Sequence, residues 1–262
     1  MRIMKRKRII CIALILVSMV VSRSWSQMTG NPIDARGTNQ WTLSALGTYM
    51  DQQLGGAQAI SKRLLAKSTW GIAPWLDMYC LGGVAQVDLK KNSAALSDYS
   101  GKFRFSYGAG FNIVLKPESS SRLWFVAGAQ ALRFPSEGSF TEDLLVGSEY
   151  YMREFDLSYD WREVKINGGI VIPNRSFRVY LAIAGWLVQR LETKREYLDN
   201  GTSRMYVGEE KGEYRTGMWS GGIIGLEILL PQRYSISIEA LVFNEQNYQL
   251  MIGICQTGLT RW

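Results

Sequence analysis

Phe103-Arg104-Phe105-Ser106-Tyr107-Gly108-Ala109-Gly110-Phe111-Asn112-Ile113-Val114-Leu115-Lys116 alternates almost without fault. Phe103, Phe105, Tyr107, Ala109, Phe111, Ile113 and Leu115 form an apolar, aromatic series. The residues between them are mostly small or polar, except Val114. A period of two places one series on each face of a β-strand. Alternation alone fits a strand over a shared core in a soluble sandwich as well as a strand with one face in lipid.

The connections separate these two. Working outward, candidate strands fall over 41–50, 61–71, 76–89, 103–116, 122–134, 152–171, 177–191, 216–230, 234–243 and 247–255. Short turns at Ile72–Trp75, Pro117–Ser121, Ile172–Ser176 and Pro231–Arg233 alternate with long polar connections at Asp51–Ile60, Lys90–Lys102, Pro135–Tyr151 and Glu192–Arg215. Asn244–Gln246 is a shorter fifth connection on the long side. Pro74, Pro117, Pro173 and Pro231 all mark the short side. Proline suits it because a fixed φ and a missing N–H break a ladder. One rim of tight turns and one of extended loops is the pattern of an all-β, closed, antiparallel up-and-down transmembrane β-barrel of about ten strands. An even count puts both termini on the short-turn rim.

The N-terminus orders a basic segment, an apolar run over Ile9–Val21 and Ser22-Arg23-Ser24-Trp25-Ser26. This is the order of a secretory signal peptide, with an apolar run too short to span as a helix. The expected organisation is therefore a signal peptide over 1–26, a flexible Gly- and Pro-containing lead-in over 27–40 and a barrel over 41–262. Arg2, Lys5, Arg6, Lys7, Arg8 and Arg23 account for all but one of the net positive charges of +7. The pI of about 9.3 thus belongs to the leader, and no basic footprint remains to suggest nucleic acid. Cys80 and Cys255 fall on strands that are not neighbours in a ten-strand ring and are expected as free thiols.

The chain has no histidine, which closes Ser-His-Asp hydrolysis and His-ligated zinc chemistry. Neither a cofactor nor a metal site is expected. Setting the apolar series outward turns Arg104, Glu227 and Glu239 into the barrel, joined by Arg63, Lys67 and Glu163. Buried charges must pair or meet water, so these six are candidate lumen charges, bracing a narrow interior or lining a small polar passage. Glu227 and Glu239 could in principle share acid and base work, although ion pairing is the commoner reason for such carboxylates, and no enzyme is expected. Trp70, Trp75, Tyr79, Phe103, Tyr180 and Tyr234 are candidates for an interfacial aromatic girdle. The charge run Glu192–Arg215 suggests a solvated loop, with contact to lipopolysaccharide or an extracellular partner as the sharper alternative.

The segment Ser61 to Ala85 carries Trp70-Gly71, a turn at Pro74 and Leu76-Asp77-Met78-Tyr79. It resembles a hairpin common in bacterial outer-membrane β-barrel proteins of the porin-like superfamily. Trp161-Arg162-Glu163 with Val164–Val171, and Tyr234–Phe243 with Glu239, resemble later strands of that group. The resemblance implies a bacterial outer-membrane location, insertion by the barrel assembly machinery and outer-membrane lipid or lipopolysaccharide as surroundings. Its motifs say little about activity and nothing about oligomeric state. Such barrels close on an aromatic residue; Trp262 keeps the parity of Tyr248, Leu250, Ile252 and Ile254, while Gln256, Gly258 and Thr260 break its character. The expected function is a membrane scaffold or a narrow, weakly selective channel. Surface binding or adhesion through the long loops is the alternative.

Overall fold

The computed structural model describes residues 40–54, 57–91, 99–116, 123–146, 149–199, 203–216, 218–244 and 247–257. The expected signal peptide, the lead-in up to residue 39, Pro117 and Trp262 lie outside them. Twelve strands succeed one another: β1 (Trp41–Leu54), β2 (Ala57–Ala73), β3 (Leu76–Lys91), β4 (Tyr99–Ser100), β5 (Arg104–Leu115), β6 (Trp124–Val146), β7 (Glu149–Pro173), β8 (Phe177–Asp199), β9 (Arg204–Arg215), β10 (Trp219–Leu229), β11 (Tyr234–Asn244) and β12 (Asn247–Thr257). All pairings are antiparallel. Ten strands form the ring β1-β2-β3-β5-β6-β7-β8-β10-β11-β12, and the β1–β12 ladder, from Thr42↔Thr257 to Asp51↔Tyr248, closes it. The two remaining strands are satellites, β4 on β3 and β9 on β8.

Closure follows from the alternation. One series on each ring strand is buried inside, and the other faces out with no second sheet over it among the described residues. Ile183 is 75% exposed, Phe105 65% and Leu64 61%. A soluble sandwich would cover these side chains. A continuous apolar exterior of this size marks contact with lipid instead. Trp41 and Trp70 stack at 5.8 Å near the short-turn rim of this belt, and Trp75, Phe103 and Tyr234 are also exposed. Tyr79 and Tyr180 correct the girdle expectation, because both are buried inside. Their neighbours Met78 and Leu181 carry the outward parity of β3 and β8.

Three of the expected loops are largely strand. Asp51–Ile60, Pro135–Tyr151 and Glu192–Arg215 are expected as polar connections, but the β1–β2 ladder continues to Leu54↔Ala57 and the β6–β7 ladder runs unbroken from Trp124↔Val171 to Val146↔Glu149. β8 likewise pairs with β7 out to Asp199. Strands β6, β7 and β8 have 23, 25 and 23 residues, about twice the 9–11 that cross a bilayer. Their outer halves rise with β9 as a wing above the ring. β8 changes its second neighbour on the way, from β10 over Phe177–Trp186 to β9 over Gln189–Asp199. Thr216 spans the change: its N–H donates to the Val188 carbonyl, and its Oγ1 accepts from the Val188 N–H, both at 2.9 Å.

Pro135 is tolerated inside β6 because of where its nitrogen points. Glu137 accepts from the Lys102 N–H on the β5 side, so residue 135, two positions away, points its nitrogen to that side too. The β5–β6 ladder has already stopped at Tyr107↔Arg133, so no hydrogen bond is lost.

At the short-turn rim, Gln232 and Arg233 adopt positive φ angles of 62° and 65°. These angles let the Leu230 N–H reach the Tyr234 carbonyl at 2.8 Å and join β10 to β11 tightly.

Candidate functional site

Buried polar and apolar side chains are mixed along the interior. Toward the short-turn rim Thr42, Ser44, Thr69, Asp77, Asn112 and Ser235 are buried beside Val114, Val126 and Val171. Toward the long-hairpin rim aromatic rings gather beside buried Gln52, Ser61 and Ser136. Phe134 stacks on Trp161 at 5.9 Å, Trp186 on Phe243 at 5.0 Å, and Tyr99 meets Tyr159 edge-on at 5.0 Å. Filling of this kind is expected of small barrels.

Charges close the middle. Arg63 on β2 and Glu163 on β7 stand four strands apart around the ring, and they meet in a two-toothed pair, with Nη1 donating to Oε2 at 2.9 Å and Nη2 donating to Oε1. Arg63 also donates from Nε to Ser61 Oγ at 3.0 Å, and its guanidinium lies 4.2 Å from the Phe134 ring centre. The Trp161 indole donates to Glu163 at 2.8 Å. A second link crosses the ring from β7 to β12, where Lys165 Nζ donates to Gln249 Oε1 at 2.6 Å.

Lys67 is buried with its ammonium 4.3 Å from the Tyr79 ring centre. Glu227 is buried and accepts from Arg178 at 2.9 Å. Glu239 is buried on the neighbouring strand, close enough to Lys165 for their charges to interact. Arg104 departs from the expected placement. At the first position of β5, where the strand is interrupted before β4, it is exposed and pairs with Glu137 on the wing.

Sequence reasoning missed Lys165, Arg178 and Gln249. The signal was present, since Lys165 shares the parity of Glu163, and Arg178 sits at the start of a strand whose parity Leu181 and Ile183 reveal. Among the described residues no group of His, Cys, Asp and Glu could hold a metal ion. Cys80 is exposed on the outer face and Cys255 is buried in the interior; neither is in a disulfide.

A closed ring with an apolar exterior and a filled interior defines a small porin-like β-barrel of the bacterial outer-membrane fold. The translocator domain of the autotransporter NalP from Neisseria meningitidis has this fold. It covers 86% of this chain and 90% of its own at 10% identity, with a TM-score of 0.50. The outer membrane protein OprG from Pseudomonas aeruginosa is similar over 86% of this chain and 98% of its own, at 12% identity and a TM-score of 0.40. The transport unit of the autotransporter AIDA-I from Escherichia coli reaches 94% and 97%, at 11% identity and a TM-score of 0.38. The chain matches no family model and no curated protein.

Proposed function

We propose that this chain is a bacterial outer-membrane protein acting as a non-catalytic scaffold with a closed lumen, its wing directed to the cell exterior. The observation that carries this reading is the Arg63–Glu163 pair, which ties opposite walls together under a layer of stacked aromatic rings. A conducting lumen needs a continuous wet path, and here the crossing is a buried pair whose hydrogen bonds are made within the protein. Glu227 is held by Arg178, which favours a bracing role over acid–base work. The outward direction of the wing follows from the usual arrangement of such barrels, with short turns inside and long hairpins outside.

Planar-bilayer recording on the folded full chain tests the closed lumen. The expected result is no unitary conductance; discrete openings of the unaltered protein would assign it instead to the narrow, weakly selective channels. The wing supports a second role in surface binding, because it sets a four-stranded face of exposed charged side chains above the apolar belt. Adhesion of cells displaying the chain, lost on removal of 136–158 and 192–213, is the corresponding readout.

A further inference from the structure

The registers of β6 to β9 place outward residues in rows across four strands. The last apolar row is Ala131, Val164 and Leu187. Directly above it stand Arg133, Arg162, Gln189 and Arg215. Arg133 and Arg162 are direct cross-strand partners, an arrangement of like charges that weakens a sheet unless an anion lies between them. Asp160 supplies part of that anion. It accepts from Arg133 at 2.8 and 3.0 Å and from Arg162 at 3.1 and 2.8 Å. Burial pulls the Asp160 carboxyl upward, but these hydrogen bonds and charges outweigh it and hold the group below its ordinary 3.8.

The compensation is incomplete. Glu213 accepts from Arg215 and, at 2.8 Å, from Gln189, so three guanidiniums face two carboxylates. Arg133 commits three of its five donors, one of them to the Tyr107 hydroxyl at 3.2 Å, and Arg162 commits two. The free donors lie one row above the apolar belt, about 7 Å higher along the strands. Further up the same face is a cleft of about 430 Å³. Its lining includes Ser139, Ser158 and Thr193, the cations Lys102, Arg104 and Arg195, and the carboxylates Glu137 and Asp156.

We propose that the Arg133–Arg162–Arg215 row is a binding site for a phosphate of an outer-leaflet glycolipid, whose sugars occupy the hydroxyl-lined cleft above it. The height of the row selects the occupant. A lipid with its acyl chains on Ala131, Val164 and Leu187 brings its first phosphate to the arginines, and guanidiniums bind phosphate by paired donors. A saccharide headgroup is specified over a simple phospholipid because three hydroxyl-bearing residues and a mixture of hydrogen-bonding cations and carboxylates, the groups that suit sugar hydroxyls, continue upward. The proposal rests on the outer-membrane reading and is independent of whether the lumen conducts.

The test uses the full chain refolded in detergent, with folding verified by heat-modifiable gel mobility, and deep-rough lipopolysaccharide as probe in native mass spectrometry. Arg133→Ala with Arg162→Ala is expected to weaken binding about tenfold or more, the loss of at least one charge-assisted hydrogen bond. Arg175→Ala on the opposite rim is expected to leave it unchanged, and enzymatic dephosphorylation of the probe to reproduce the loss. If the alanine pair does not fold, Arg133→Lys with Arg162→Lys replaces it and is expected to weaken binding less, since lysine keeps the charge without the fork. Unchanged affinity after substitution or dephosphorylation overturns the site. Equal, arginine-dependent binding of phosphatidylglycerol or inorganic phosphate overturns the glycolipid. Cell fractionation tests location separately, so a misplaced barrel is distinguishable from a wrong site.

Discussion

Replacing Glu163 by alanine removes the acceptor for a guanidinium that is 3% exposed and reaches across the ring. Stranding a buried charge in this way costs about 3–5 kcal/mol. The Trp161 indole also loses its 2.8 Å acceptor, adding about 1 kcal/mol. The Ser61 hydroxyl and the Phe134 ring still touch Arg63, and they keep the loss from growing further. Substituting both partners, Arg63→Met with Glu163→Leu, removes the charge and the need for it together. The double variant is expected within about 1 kcal/mol of the unaltered protein or more stable by up to about 4. Urea titration of the barrel in lipid vesicles, followed by tryptophan fluorescence, measures all three. A Glu163→Ala cost under about 1 kcal/mol, or a double variant less stable than the single, refutes the reasoning. Either result means that water reaches the guanidinium and the middle of the barrel is open.

Ile183→Arg puts a charge on the lipid face of β8 and is expected to cost about 2–4 kcal/mol in the same titration, whereas Thr193→Arg on the wing is expected to cost almost nothing. Gly225→Ala would drive a methyl group into the Tyr180 ring, which is buried, with an expected loss of about 1–3 kcal/mol and a lower refolding yield. Hydrogen bonds from Lys211 and Arg195 hold the Glu209 carboxyl below its ordinary 4.5, and Gln189 and Arg215 do the same for Glu213. Depressed carboxyls stabilise the β8–β9 hairpin above that value and lose the contribution as pH falls below it. Amide protection over 204–215, taken relative to the intrinsic exchange rate at each pH, is therefore expected to fall between pH 5 and pH 3, and Glu209→Gln with Glu213→Gln to flatten the change.

Where one face meets lipid, the chain announces its strands. The run 103–116 contains β5 (Arg104–Leu115) because hydrocarbon outside and filling inside impose opposite chemistry on successive residues. Along β9 both faces meet water, and that contrast disappears. Glu192–Arg215 resembles a solvated loop because its order comes from cross-strand pairs such as Arg195 with Glu209 at 2.8 Å and Arg204 with Glu154 at 2.8 Å, which only the register reveals. The same limit applies to the sites. Parity turned Arg63 and Glu163 inward, but nothing local says that residues 100 positions apart share a hydrogen bond. Arg104 shows where parity stops being informative, at a strand end beside an interruption. The arginine row was invisible for the reason that made the wing invisible, since Arg133, Arg162 and Arg215 become neighbours only when three ladders are in register.

The wing also separates two kinds of evolutionary freedom. Its strands β8 and β9 are tied by opposite signs facing one another, so exchanging the members of a pair, as in Arg195→Glu with Glu209→Arg, preserves the attraction while inverting the local surface. Such paired swaps never touch the anchored ring below. With the wing directed to the cell exterior as proposed, an antibody or bacteriophage that learned one version of this surface would meet another, on a protein whose hold on the membrane had not changed.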